Sequence, residues 1–312
     1  MSSPARPARL REIRLTTWRA VLVGSGRRFV RDNCVDWAAA LTYYGVLALF
    51  PSLIVVVALV GLVSDGERTV DTVVGLAEEL GAGAVVGDEG FVDIIDGVVA
   101  QRSSAGVLLS FGLVAALWSA SGYVRAFTRA ANAIYGVAEG RPFYRLQPQQ
   151  LGLTTAGLML LALVAVMLIV SGPVTDALGD RLGLGQAPRT AWSLLKWPVL
   201  IAIVTTLLSL LYWFAPNVRQ PRLRWLAVGG VVTLLLAALA SAGFGTYVAY
   251  FGSYDVTYGS LGAVIAFLVW LYLTNLAVML GVEINAEVQR GRAAQAGESE
   301  PADPVLPPRT PV

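Results

Sequence analysis

Six long apolar stretches, each free of Asp, Glu, Lys and Arg, divide the chain: residues 37–63, 103–124, 146–175, 197–218, 225–254 and 256–282. Crossing about 30 Å of hydrocarbon at roughly 1.5 Å per residue takes about 20 residues of helix, and every stretch reaches that length. Lipid offers no partner to an unpaired backbone amide, so a spanning segment must be a helix or part of a closed barrel. A barrel would show short alternating segments, whereas these runs are continuous in Leu, Val and Ala. The pattern predicts an all-α, polytopic membrane protein of six transmembrane helices.

The charges between the runs set the expected orientation. Of 23 Lys and Arg residues, eighteen fall in the N-terminal segment, the second-to-third and fourth-to-fifth connections and the C-terminal tail, and five fall in the others. This asymmetry places both termini in the cytoplasm. The expected organisation is a basic cytoplasmic segment at 1–36, a six-helix transmembrane domain at 37–287 and a cytoplasmic tail at 288–312. That tail, rich in Ala, Gly, Glu and Pro, is expected to be disordered, because it has little apolar surface to bury.

Two connections carry a helical period of their own. The first external loop, 64–102, has nine carboxylates against two Arg, and its apolar residues recur at Val70, Val73, Val74, Ala77 and Leu80, then at Phe91, Ile94, Ile95, Val98 and Val99. Two amphipathic helices on the outer face fit this spacing, as caps on the bundle or as a lid. In the N-terminal segment Trp18, Val21, Leu22 and Phe29 fall near one face, with Arg14, Arg19, Arg27, Arg28 and Arg31 around them. That pattern suits an interfacial helix drawn to anionic lipid, or a charged flank that sets topology.

Composition changes the picture mainly by exclusion. There is no His and one Cys, Cys34, so histidine-based zinc sites, Ser/His/Asp triads and intrachain disulfides lack their components. Asp32, Asp36, Glu139, Glu283 and Glu287 are scattered among the flanks without ligand spacing. No catalytic residue, metal or cofactor is assigned, nucleic acid is not expected as a partner, and membrane lipids are. Self-association into a homo-oligomer is left open.

Polar residues inside apolar runs are the remaining candidates. Thr42, Tyr43 and Tyr44 lie in the first run, Ser119 and Ser121 in the second, and Thr274 and Asn275 in the last. An amide at the depth of Asn275 must find a partner within the bundle. Arg125 and Arg129 follow the second run, and Glu283 and Asn285 follow the last, at similar depth. We take Thr42, Tyr43, Tyr44, Ser119, Ser121, Arg125, Arg129, Asn275, Glu283 and Asn285 as a candidate polar path between the first, second and sixth spans, with Arg125 expected to pair with Glu283. Small residues at Gly112, Ala116 and Ala120, and at Ala237, Ser241 and Gly245, are expected at helix crossings.

Three stretches carry a family resemblance: AAALTYYGVLALFP at 38–51, WSASGYVRAFTRAANAIYGVAEGRPF at 118–143, and the segment from GFGTYVAYFGSYDVTYGSLGAV through FLVWLYLTNLAVMLGVEINAE at 243–287, with a shorter WFAPN at 213–217. Over about residues 30–290 the chain resembles the YihY/virulence factor BrkB family. The resemblance implies a six-helix bacterial inner-membrane protein of poorly defined function, associated in some bacteria with envelope resistance and virulence. A ribonuclease name has also been attached to such proteins, but the family pattern has no catalytic residues to carry over. Three functions stand as expectations: the handling of lipids or other envelope molecules by a transporter or flippase-like scaffold, and, alternatively, a membrane-anchored enzyme or an envelope assembly protein.

Overall fold

In the computed structural model, the described residues are 6–63, 105–169, 186–222, 225–251, 260–298 and 304–311. Among these residues seven α-helices follow in order: α1 (Leu15–Arg31), α2 (Cys34–Val63), α3 (Ala105–Tyr135), α4 (Phe143–Ile169), α5 (Gln186–Phe214), α6 (Ala227–Phe251) and α7 (Ser260–Gln295), after a short 3-10 turn at Leu10–Glu12. The described residues contain no strand, only an isolated bridge between Val218 and Pro308. Each of the six apolar runs lies largely on one of the helices α2 to α7. The amphipathic period of the first external loop lies outside the described residues.

Burial along these helices is inverted relative to a water-soluble bundle. Thr190–Phe214, Ala227–Tyr247 and Val264–Gln295 are long and apolar enough to cross a membrane, yet only 11%, 17% and 28% of their most apolar windows are buried. Leu194, Trp197 and Ile201 of α5, Leu235 and Leu239 of α6, and Val264 and Ile265 of α7 stand exposed. In water such a surface would drive aggregation, whereas hydrocarbon solvates it.

The buried core gathers instead toward one end. At roughly 1.5 Å per residue, the 31 residues of α3 and the 36 of α7 run well past a 30 Å hydrocarbon layer. Their C-terminal turns bury Phe127, Ala130, Ala131, Ile134, Tyr135 and Ala286 against Cys34 and Ala38 of α2, Leu211 and Tyr212 of α5, and Ala215 just beyond it. A second cluster joins Ile13 and Val21 to Trp225, Ile284 and Val288, with Trp18 packed on it. The α3–α4 and α5–α6 connections and both chain ends therefore meet at this end, the four segments richest in arginine.

Two caps fix where the long helices stop. Gly136 takes φ 66° after α3, with Gly136 N donating to the Ala133 carbonyl and Val137 N to that of Asn132, both at 3.0 Å. Gly297 (φ 73°) repeats the arrangement after α7, where Glu298 N donates to Ala293 O at 3.1 Å. Glycine enters this left-handed conformation without the Cβ penalty, which makes it the usual residue just past a helix end.

The tail departs from expectation. The helix continues to Gln295, and residues 304–311 dock as an extended strap rather than remaining disordered. Val305 and Leu306 enter the main core, and Val305 N donates to the Tyr135 carbonyl at 3.1 Å. Arg219 N donates to Pro307 O at 2.9 Å and Arg309 N to Asn217 O at 3.0 Å. The composition argument failed because two apolar residues and a ladder of backbone bonds anchor a short segment, and prolines lower the entropy lost on docking.

Candidate functional site

Midway along the bundle, three helices are tied by one polar seam. Asn275 of α7 is 2% exposed. Its Nδ2 donates to Thr42 Oγ1 of α2 at 3.1 Å, and its Oδ1 accepts from the Tyr123 hydroxyl of α3 at 2.9 Å. The Thr42 hydroxyl donates to the Ala38 carbonyl one turn back at 2.8 Å, so it remains free to accept from the amide. Tyr44 lies against α3 where Gly122 leaves room: a Cβ there would stand 2.8 Å from the ring.

Not every candidate joins this seam. Tyr43 is 61% exposed on the outer face of α2, with its ring edge-on to Tyr44. Ser119 is half-buried, and Ser121 is buried with its hydroxyl donating to the Trp118 carbonyl at 2.7 Å. Arg129 is exposed.

The expected Arg125–Glu283 pair does not form. The Arg125 guanidinium lies over the exposed Trp118 ring, 5.6 Å from its centroid, two helical turns back on the same face. Similar depth put the two residues at one level, but the rotation of α3 turns Arg125 outward. Glu283, fully buried, has Arg290 of its own helix at 3.5 Å as its ion partner.

What sequence reasoning missed is the charged cluster one turn further along α7. Glu287 Oε1 accepts from Arg290 at 2.5 Å and forms an ion pair with Arg28 Nε of α1 at 2.8 Å. Arg290 also donates to the Ile134 carbonyl at the C-terminus of α3 at 3.1 Å, where a cation complements the helix dipole. Arg28, Arg290 and Glu287 thus bind α1, α3 and α7 into one unit. The signal was present as the i, i+3 spacing of Glu287 and Arg290. Asn285 turns the other way, and its Oδ1 accepts from Gly229 N of α6 at 2.9 Å.

A second missed hub is Asn217, fully buried within WFAPN. Its backbone N donates to Asn132 Oδ1 at 2.7 Å, and its Nδ2 donates to the carbonyls of Ala138 (3.0 Å) and Thr310 (2.8 Å). Beside it Arg141 grips Glu139 with both arms of its guanidinium, at 2.7 and 2.6 Å, and donates to Ala215 O at 2.8 Å. Burial raises the Glu139 carboxyl pKa, but the hydrogen bonds and charge of Arg141 outweigh it and hold the group below its ordinary value. These contacts lock together the two connections and the tail.

An apolar exterior, a polar seam inside and a charged cluster at one end define a helical membrane protein. The description "Virulence factor BrkB" matches residues 25–305, and the chain belongs to that family. It is 32% identical over 252 residues to the "Putative ribonuclease-like protein YfkH" of Bacillus subtilis, covering 80% of this chain and 88% of that protein. It is 31% identical over 278 residues to a "UPF0761 membrane protein" of Alkalilimnicola ehrlichii, covering 86% of this chain and 59% of the relative. A UPF0761 membrane protein of Rhodospirillum centenum is 30% identical over 279 residues, covering 88% and 58%. The chain therefore spans somewhat under two thirds of the length of these two relatives. No solved structure matches.

Proposed function

We propose that this chain is a six-span inner-membrane protein, with both termini cytoplasmic, that handles lipids or related envelope molecules along the polar seam between α2, α3 and α7. The observation that carries this reading is the Thr42–Asn275–Tyr123 chain, three polar side chains from three apolar helices converging where each would be costly against lipid. A headgroup moving between leaflets needs such a run of hydrogen-bonding partners, and the exposed apolar faces suit its acyl chains. Thr42, Tyr44, Ser119, Ser121 and Asn275 are the candidate binding residues. Arg125 and Arg129, at the cytoplasmic end of α3, are candidates for first contact with an anionic group.

The same reading makes the chain a non-enzyme, although one relative carries a ribonuclease-like name. Glu287 is held between Arg28 and Arg290, which supports a structural role over hydrolysis. The experiment is native mass spectrometry of the purified protein in mild detergent. Retained lipid is expected on the wild type and diminished retention on Thr42→Val/Asn275→Leu; equal retention by both, with matching melting curves, would remove the seam from the function.

The orientation has its own test. The basic asymmetry predicts that, in intact cells of a Cys34→Ser background, an impermeant thiol reagent labels a cysteine at Gly81 and not one at Glu298. Labelling of Glu298→Cys from outside would reverse the proposed topology.

A further inference from the structure

Where α1 crosses α7, Gly24 and Gly291 let the helices approach closely, and a groove of about 350 Å³ opens beside the crossing. Its wall includes Val23, Arg27 and Arg28 of α1 and Glu287 and Arg290 of α7. Three arginines and one carboxylate line it, and that carboxylate is shared by Arg28 Nε and Arg290, which also pairs with Glu283 behind it. Among the described residues, no carboxylate lies within ion-pair distance of Arg27, while Arg28 meets Glu287 through Nε. The groove has net positive charge with unused planar donors, the arrangement that suits a phosphate.

The neighbouring surface says which phosphate. Trp18, Val21 and Phe29 pack onto the bundle, while Leu15, Leu22, Val23 and Val30, on the adjoining face of α1, are 83%, 62%, 56% and 72% exposed. Val23 borders both this apolar face and the groove. Only Asp32 and Asn33 separate α1 from the apolar helix α2, with Asn33 in a left-handed turn (φ 53°), so α1 cannot stand far from the membrane boundary. A free phosphate ion would have no use for an exposed aliphatic face beside its site. A lipid would, by the same physics that seats basic amphipathic helices in an interface.

We propose that the α1–α7 groove binds the phosphate of an anionic glycerophospholipid of the adjacent leaflet, between Arg27 and Arg28, with acyl chains along Val23, Leu22 and Val30. This site lies apart from the α2–α3–α7 seam. It rests on the membrane-spanning reading and not on lipid movement.

The test uses the full chain in nanodiscs of phosphatidylcholine and phosphatidylglycerol, with trace acyl-diazirine probes of either lipid. Crosslinks to α1 are mapped by peptide mass spectrometry. Phosphatidylglycerol is expected to label α1 about fivefold more than phosphatidylcholine. Arg27→Gln should bring that ratio close to one, and Arg145→Gln, an exposed arginine on α4, should leave it unchanged. Equal labelling by the two lipids, an unchanged ratio in Arg27→Gln, or an equal fall in Arg145→Gln would overturn the proposal. Loss of the preference on adding inorganic phosphate would assign the site to a free anion and overturn it too. Transbilayer lipid movement is followed on the same preparations. A preserved preference without movement counts against the seam alone, and movement without preference counts against the groove alone.

Discussion

Gly281→Ala is expected to lower the thermal midpoint of the detergent-solubilised protein substantially, although it adds one methyl group. At this crossing α6 and α7 approach backbone to backbone. A Cβ at Gly281 would overlap the Thr233 and Tyr212 hydroxyls and come within 2.9 Å of the Gly229 carbonyl. On the other side, a Cβ at Gly229 would overlap the Gly281 carbonyl and the Asn285 amide. Main-chain atoms cannot rotate aside as a side-chain tip can. The displaced hydroxyls also form a network: Tyr212 OH lies 2.8 Å from Thr233 Oγ1 and 3.0 Å from Val278 O, Thr233 Oγ1 lies 3.1 Å from Ala277 O, and the two hydroxyl protons serve these three contacts. Overpacking of this kind costs about 1–3 kcal/mol, and each buried hydrogen bond lost adds about 1 kcal/mol. Gly243→Ala on α6 is the control, since a Cβ there meets nothing within 4 Å. Melting curves followed by tryptophan fluorescence should show a large drop for the first and little change for the second. Equal midpoints would mean the helices do not cross at Gly281.

Glu287→Ala should be costly for a different reason. Arg290 and Glu287 have side chains only 7% and 10% exposed, and Arg28 is 23% exposed. Removing the shared carboxylate leaves Arg28 without its carboxylate and Arg290 with Glu283 alone, at 3.5 Å, in a site with little water. Breaking a buried pair from one side costs about 3–5 kcal/mol, because the surviving charge keeps its desolvation penalty. Glu287→Ala/Arg28→Met removes one charge of each sign, leaves Arg290 with Glu283, and should recover part of the loss. The coupling is read from a double-mutant cycle on melting midpoints. Strictly additive effects would show that Glu287 and Arg28 do not interact.

Different parts of this architecture were legible in the sequence to different degrees, for physical reasons. The apolar runs were readable because hydrocarbon forbids charge over a fixed length, and each lies largely on one helix. Asn275 was readable as an interior residue because an amide amid Leu and Val has few ways to be satisfied. Arg125 was misread because depth along a helix is encoded by residue number, whereas the direction a side chain faces depends on how neighbouring helices are rotated. Arg28 was missed as a partner of Glu287 for the same reason, since it reaches Glu287 only because α1 folds back along α7, whereas Arg290, on the same helix as Glu283 and Glu287, was legible in the spacing and overlooked. The docking of the tail was invisible to composition, since it rests on Asn217 and on the backbone of the α5–α6 connection. In α1 the helical period was visible, but Trp18 and Phe29 turned inward and left Leu15 and Val30 outside.

The seam is tested most directly by transbilayer lipid movement. Purified protein is reconstituted into vesicles carrying a trace of headgroup-labelled fluorescent lipid in both leaflets, and a membrane-impermeant reductant is added outside. Loss of fluorescence beyond the outer-leaflet share is expected for the wild type, slower for Tyr123→Phe, which removes one hydrogen bond of the seam, and slowest for Thr42→Val/Asn275→Leu. Loss limited to the outer leaflet for the wild type, as in protein-free vesicles and with the protein shown folded by its melting curve, would contradict a lipid path between α2, α3 and α7.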